Sequence, residues 1–356
     1  MRALNVSNRV PAILLLILFP GIAVFSMNTG AAPVSPPSRT GPKPRMYRPV
    51  GLTITVKIPE LTGEAFDLFI PIPRMGDFQR LASSKASSPV PGHFMEYDDL
   101  GLRYWTAHFS NRDFKNSEVV IESLVIVRRF HLRSENFPGV KSWPPAFDPF
   151  LRPIFTRALR STDIEKIAAE LNLNTQQPLV ERARMIYQAL VKESSPKMLK
   201  NEDPIGCDRG SVLFAALARY LSIPARITYG YAIPDYTAGK ILRTLCWAEF
   251  YVPSIGWVPA DVRRGVQNPR NHLFYFGSRL MDRLALTPAM RVHLRTDKAK
   301  IVKLVRFDRP VIRLSNGRLI YPETRIVFQD KRRRDIPPNT IIKTIEERMD
   351  PPSELR

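Results

Sequence analysis

Cysteine occurs only twice in this chain of 356 residues, as Cys207 and Cys246, scarce enough to ask why each is there, with a core role the plainer one for Cys246. In "CDRGSVLFAALARYL" the residues Val212, Leu213, Ala216, Leu217 and Tyr220 recur at helical spacing, which sets Cys207 at a helix N-terminus. A thiol attacks as thiolate, and a free cysteine of pKa near ~8.5 supplies only a few per cent of that form at neutral pH. The positive end of a helix dipole favours the anion. Full activation needs an imidazole against the sulfur, oriented in turn by a carboxylate or amide. The hairpin-like stretch "TLCWAEFYVPSIGWVPAD", Thr244 to Asp261, is where those partners are expected, and it holds Glu249 and Asp261 but no histidine. The five histidines, His93, His108, His131, His272 and His293, are scattered. No metal-ligand cluster and no Gly-rich phosphate loop occur, so neither metal nor cofactor is expected. The plainer role for Cys207 is a small buried residue at a helix start.

The elements that must position these residues fall into two textures. From Gly51 to about Leu132, short period-two runs ("LTITVKI", "FDLFIPIP", "LRYWTAHF", "VVIESLVIV") predict a β-sandwich over 50–135. After Pro153 helical spacing takes over: "STDIEKIAAELN" opens on a cap signal, and "PLVERARMIYQALVKE" puts Leu179, Ala183, Ile186 and Leu190 on one face. Strands return in "ARITYGYAI", "LCWAEFYV" and "GWVPAD", within a core placed at 150–290. A C-terminal β extension over 291–330 follows, with "KIVKLVRF" and a hairpin turning at Asn316-Gly317. The last stretch, 331–356, reads as a basic, poorly ordered tail.

At the other end, Arg2 and Arg9 precede an apolar run from Val10 to Phe25, broken by Pro11 and Pro20 and followed by small residues. Residues 1–27 therefore read as an export signal, with an N-terminal membrane anchor as the alternative; a span normally needs ~20 uninterrupted apolar residues. A Pro-rich linker, 28–49, comes next. Either reading of the N-terminus places the chain in the periplasm or at the cell surface. The formal charge of +20 would ordinarily raise nucleic acid as a partner. Export argues against that and leaves a diffuse basic surface with no dedicated partner as the plainest reading, with a peptide, a protein, an acidic envelope polymer or anionic lipid head groups as candidate partners and membrane association through the N-terminus.

Together "GCDRGSVLFAALARYLSIPARITYGYAIP", "LCWAEFYVPSIGWVPAD" and "FYFGSRLMDRLALT" resemble the transglutaminase-like superfamily in its exported bacterial form. "FDLFIPIP" with Gln79 and "EYDDLGLRYW" resemble the β-domain that precedes such cores. The resemblance implies an α+β chain: an N-terminal β-sandwich, a papain-like core and a C-terminal β extension. It assigns the nucleophile to Cys207 and the orienting carboxylate to Asp261, while the family histidine falls on Leu245. Leucine can neither accept a thiol proton nor protonate a leaving amine. With Leu245 turned toward Cys207, strand alternation turns Cys246 away, which argues against both a substitute role for Cys246 and a Cys207–Cys246 disulfide. His272 is the other substitute base, reading as loop. Trp247, Trp257 and Tyr231 are candidates for a substrate groove, with core and pocket wall as the plainer roles of the tryptophans. Asp261, deprived of its histidine, should find a cation among Arg226, Arg243 and Arg263, and Glu249 a basic neighbour. The expectation is a catalytically impaired binding or scaffolding protein; the alternative is an active thiol-dependent amide hydrolase or acyltransferase.

Overall fold

A computed structural model describes residues 46–332, apart from 62–63, 98–100, 111–113, 115–116, 133–141, 155–159, 173–176, 194–206, 289 and 297–300. The export segment, nearly all of the linker and nearly all of the tail lie outside the described residues. The first strands are β1 (Tyr47–Lys57), β2 (Phe66–Pro71), β3 (Gln79–Ser87), β4 (Gly92–Tyr97), β5 (Leu102–Phe109), β6 (Glu118–Arg128) and β7 (Phe130–His131). Then come α1 (Asp148–Leu151), α2 (Ser161–Glu170), α3 (Leu179–Glu193) and α4 (Arg209–Tyr220). Strands β8 (Ala225–Ala232), β9 (Ala238–Lys240), β10 (Thr244–Val252) and β11 (Gly256–Ala260) follow, and after them α5 (Val262–Gln267) and a 3-10 stretch, Pro269–Tyr275. The chain continues through β12 (Ser278–Arg279), β13 (Arg283–Thr287), β14 (Val292–Arg295), β15 (Ile301–Leu304), β16 (Val311–Leu314), β17 (Leu319–Ile320) and β18 (Thr324–Asp330).

The fold is α+β, and its two halves are interleaved. Two five-stranded sheets, β3-β6-β1-β18-β9 and β17-β16-β2-β5-β4, enclose one core. Alternation in β1 supplies Val50, Leu52, Ile54 and Val56 to that core, against Leu68 and Ile70 of β2 and Trp105 of β5. Strands from the C-terminal end complete both sheets: β18 runs antiparallel to β1, with Val50 opposite Asp330, and β16 pairs with β2. Even the short β9, from the middle of the chain, adds to β18. Mostly polar β3 shows little apolar alternation because it is an edge strand, buried mainly at its start.

A third sheet, β11-β10-β8-β13, carries the site. Ile227, Tyr229, Ala248, Phe250 and Val258 on one face join a core with Ala183, Ile186 and Leu190 of α3 and Val212, Phe214 and Leu217 of α4. Tyr220, expected on the buried face of α4, is instead exposed at its last turn. Gly230 on β8 has to be glycine, since a Cβ there would lie 1.9 Å from the Leu284 carbonyl oxygen of β13. Among the described residues no helix is long and apolar enough to cross a membrane.

Candidate active site at the head of helix α4

Cys207 lies two residues before α4, with 1 % of its surface exposed. Asp208 is the N-cap: its carboxylate accepts from the Ser211 amide at 2.9 Å and from the Ser211 hydroxyl at 2.9 Å. Across from them stands β10, and its register decides the site. Cys246 lies opposite Tyr229 on β8, on the same face as Ala248 and Phe250, which pack against the helices. That face carries Cys246 to Cys207, and the two form a disulfide with S–S 2.07 Å and Cα–Cα 5.6 Å.

The disulfide corrects the expectation drawn from the sequence. Alternation along β10 holds, but the side chain that reaches Cys207 is that of Cys246. By the same alternation Leu245 belongs with Trp247 and Glu249, which are turned to the opposite face. What determines the face is the burial of Glu249, whose arginine partners all lie on that side. Cys246 is half-buried and receives the Asp208 amide hydrogen at 3.3 Å. Among the described residues, the potential ligating atoms of Cys207, Asp208 and Cys246 form one group within 4.8 Å. With the sulfurs bonded to each other no thiolate is present there, so these residues are not metal ligands in this state.

Asp261 has also acquired new company. It caps α5, accepting from the Arg264 amide at 3.0 Å, and its other oxygen takes a 2.6 Å bond from Arg283 of β13, with the Arg264 side chain at 3.6 Å. The cation predicted for it is thus present, but it is Arg283, far along the sequence, and not Arg226, Arg243 or Arg263. Burial works against the Arg283 charge, and the carboxylates of Asp261 and Asp282 outweigh it, holding its pKa above the ordinary value. His272 sits in the 3-10 stretch with Nδ1 at 2.9 Å from the Pro269 carbonyl oxygen. Of the other imidazoles, His108 pairs with Asp67 and His131 with Ser278, while His93 and His293 lie on β4 and β14.

On the far face of the sheet Glu249 is 1 % exposed and fully engaged. It accepts from Arg226 Nε at 2.8 Å, Arg74 Nη2 at 3.1 Å, Thr228 at 2.9 Å and the Trp247 indole at 2.8 Å, with Arg279 at 3.4 Å. Burial pushes its carboxyl up, yet Arg226, Arg74 and Arg279 outweigh that and hold it down at about 2. It is therefore a fixed anion pinning β3's lead-in to the third sheet. Gln79 helps by bonding both the amide and the carbonyl of Ala285. Of the groove candidates, Trp247 and Tyr231 are 0 % exposed and cannot line an open groove. Trp257 is half-buried, stacked under Arg226 at 3.9 Å and packed on Phe150 and Tyr251. Sequence reasoning missed Asp208 and Arg283. The first was legible as a cap residue before "RGSVLF"; the second had no local signal.

A helix headed by cysteine, packed on an antiparallel sheet whose next hairpin ends in aspartate, defines a papain-like thiol-site scaffold. Residues 165–262 match the family model of the transglutaminase-like superfamily, and this part of the chain is a transglutaminase-like core. Among solved structures the chain is similar to a candidate cysteine protease from Cytophaga hutchinsonii, at 14 % identity and TM-score 0.50, over 80 % of this chain and 91 % of that one. It also matches the periplasmic domain of TgpA from Pseudomonas aeruginosa, at 13 % identity and TM-score 0.28, over 62 % of this chain and 89 % of that one. No curated protein matches the sequence.

Proposed function

We propose that this chain is an exported transglutaminase-like protein, impaired in amide chemistry, that serves as a binding or scaffolding protein of the cell envelope. The observation that carries the reading is the Cys207 sulfur bonded to Cys246, with leucine at the position the resemblance gives to the histidine. The nucleophile is in a disulfide, Asp261 is paired with Arg283, and the position the resemblance gives to the histidine holds Leu245. A disulfide suits an oxidising compartment, in keeping with the export-like N-terminus. The formal charge of +20 favours acidic partners, such as an anionic envelope polymer or an acidic peptide.

The test is to incubate oxidised and reduced protein with peptide amides and amine acceptors, and separately to titrate it with an anionic polymer at rising salt. No turnover in either state, with binding that weakens as salt screens the charge, is the expected result. Turnover by the reduced chain would establish the alternative, an active amide hydrolase or acyltransferase.

A further inference from the structure

We propose that the Cys207–Cys246 bond is a thiol-exchange site, opened by a dithiol reductant attacking Cys246 while Asp208 supplies the proton. The two sulfurs differ in access, because Cys207 is buried and Cys246 is half-buried. An incoming thiolate therefore meets Cys246 Sγ first. Asp208, only 2 % exposed, directs both of its polar groups at that sulfur: its amide donates at 3.3 Å, and its Oδ2 lies at 3.4 Å. A disulfide sulfur carries no hydrogen, so the carboxyl contact is a hydrogen bond only when Asp208 holds the proton.

The surroundings favour that protonated form. Burial is the largest influence and raises the Asp208 pKa; the Ser211 amide and hydroxyl lower it, the Asp261 charge raises it, and Arg263 lowers it. The net direction is upward. A brace between helix and strand would need none of this, since a neutral serine or asparagine caps a helix as well without burying a carboxyl. A carboxyl set against Cys246 Sγ, at 3.4 Å, is what proton delivery to that sulfur requires.

The step balances as follows. One thiolate of the dithiol forms a bond to Cys246 Sγ, the Cys207–Cys246 bond breaks, and its electron pair leaves with Cys207 at the positive end of α4. The second thiolate of the reductant attacks its own sulfur in the mixed disulfide and leaves the reductant oxidised to a cyclic disulfide, while Asp208 Oδ2, at 3.4 Å, protonates Cys246 Sγ as it departs. Solvent returns protons to Cys207 and Asp208.

The inference rests on the reading of Cys207 as a masked nucleophile, and the experiment separates the two. The oxidised full chain is treated with dithiothreitol in native buffer, quenched with iodoacetamide and weighed, while far-UV circular dichroism follows the fold. Both thiols should become alkylated within minutes with the dichroism unchanged, and Asp208→Asn, which keeps the cap, should slow release by at least about ten-fold. The wild-type rate, corrected for the thiolate fraction of the reductant, should fall as pH rises through the Asp208 titration. Thiols released only as the dichroism is lost would overturn the proposal, as would a corrected rate flat with pH or an Asp208→Asn rate equal to wild type. Bond opening without amide turnover leaves both readings standing. Turnover by the opened chain removes the binding reading alone.

Discussion

Leu245 stands at the position the resemblance gives to a histidine, and the structure adds two obstacles that a single substitution does not remove. Leu245→His should leave the protein inactive on peptide amides, because the Cys207 sulfur is bonded to Cys246 and Asp261 is held by Arg283. Measurable turnover by that variant alone would overturn this assignment of the site. Cys246→Ser should unmask Cys207, seen as one titratable thiol per folded chain where the oxidised parent shows none. It should also lower unfolding free energy by roughly 2–4 kcal/mol, the usual effect of a bridge closing a loop of this kind, with its sequence separation of 39. A midpoint unchanged in urea would mean that packing between α4 and β10 already does the bridge's work.

At the scale of elements, β10 serves two faces with one alternation. Its outward residues Trp247 and Glu249 meet arginines from β8 and β12 and from the segment after β2, and its inward residues meet the helices. Glu249→Gln would leave Arg74, Arg226 and Arg279 buried without their counter-charge, and removing one member of such a set costs about 3–5 kcal/mol. Urea unfolding should show that loss, and a variant as stable as the parent would mean the arginines find other acceptors. The hairpin from β10 to β11 turns on Gly256, at φ +98°, where a Cβ would strike the Asp77 carboxylate at 2.3 Å. That carboxylate accepts the Trp257 amide at 2.9 Å, so the turn is tied to the segment leading into β3.

For the molecule as a whole, the same carboxylate gives acid sensitivity a direction. Glu249 is held at about 2 in the fold, below its ordinary 4.5, so its contribution is complete above 4.5 and is lost as pH falls toward 2. A shift of that size corresponds to a contribution on the order of 3 kcal/mol. Unfolding followed between pH 5 and pH 2 should lose stability in the parent more steeply than in Glu249→Gln; parallel curves would remove Glu249 as the cause. Ending the chain after Arg309 takes away β16, β17 and β18 and uncovers the edges of β1 and β2. That truncation should lose cooperative thermal unfolding, since both sheets of the sandwich depend on the removed strands.

Local pattern was enough for much of this protein. Apolar alternation marked β1, β2, β5, β6, β8 and β10, and helical spacing marked α3 and α4, because burial on one face repeats along an element and needs no distant partner. The motifs around Cys207 and Asp261 marked the transglutaminase-like core. Which face of β10 meets α4 was decided only in three dimensions. Glu249 could be buried only where arginines from three distant segments converge, and once it turned that way Cys246 had to turn toward Cys207. Alternation states that neighbours oppose each other; the energy of burying a charge selects which of them faces the helix.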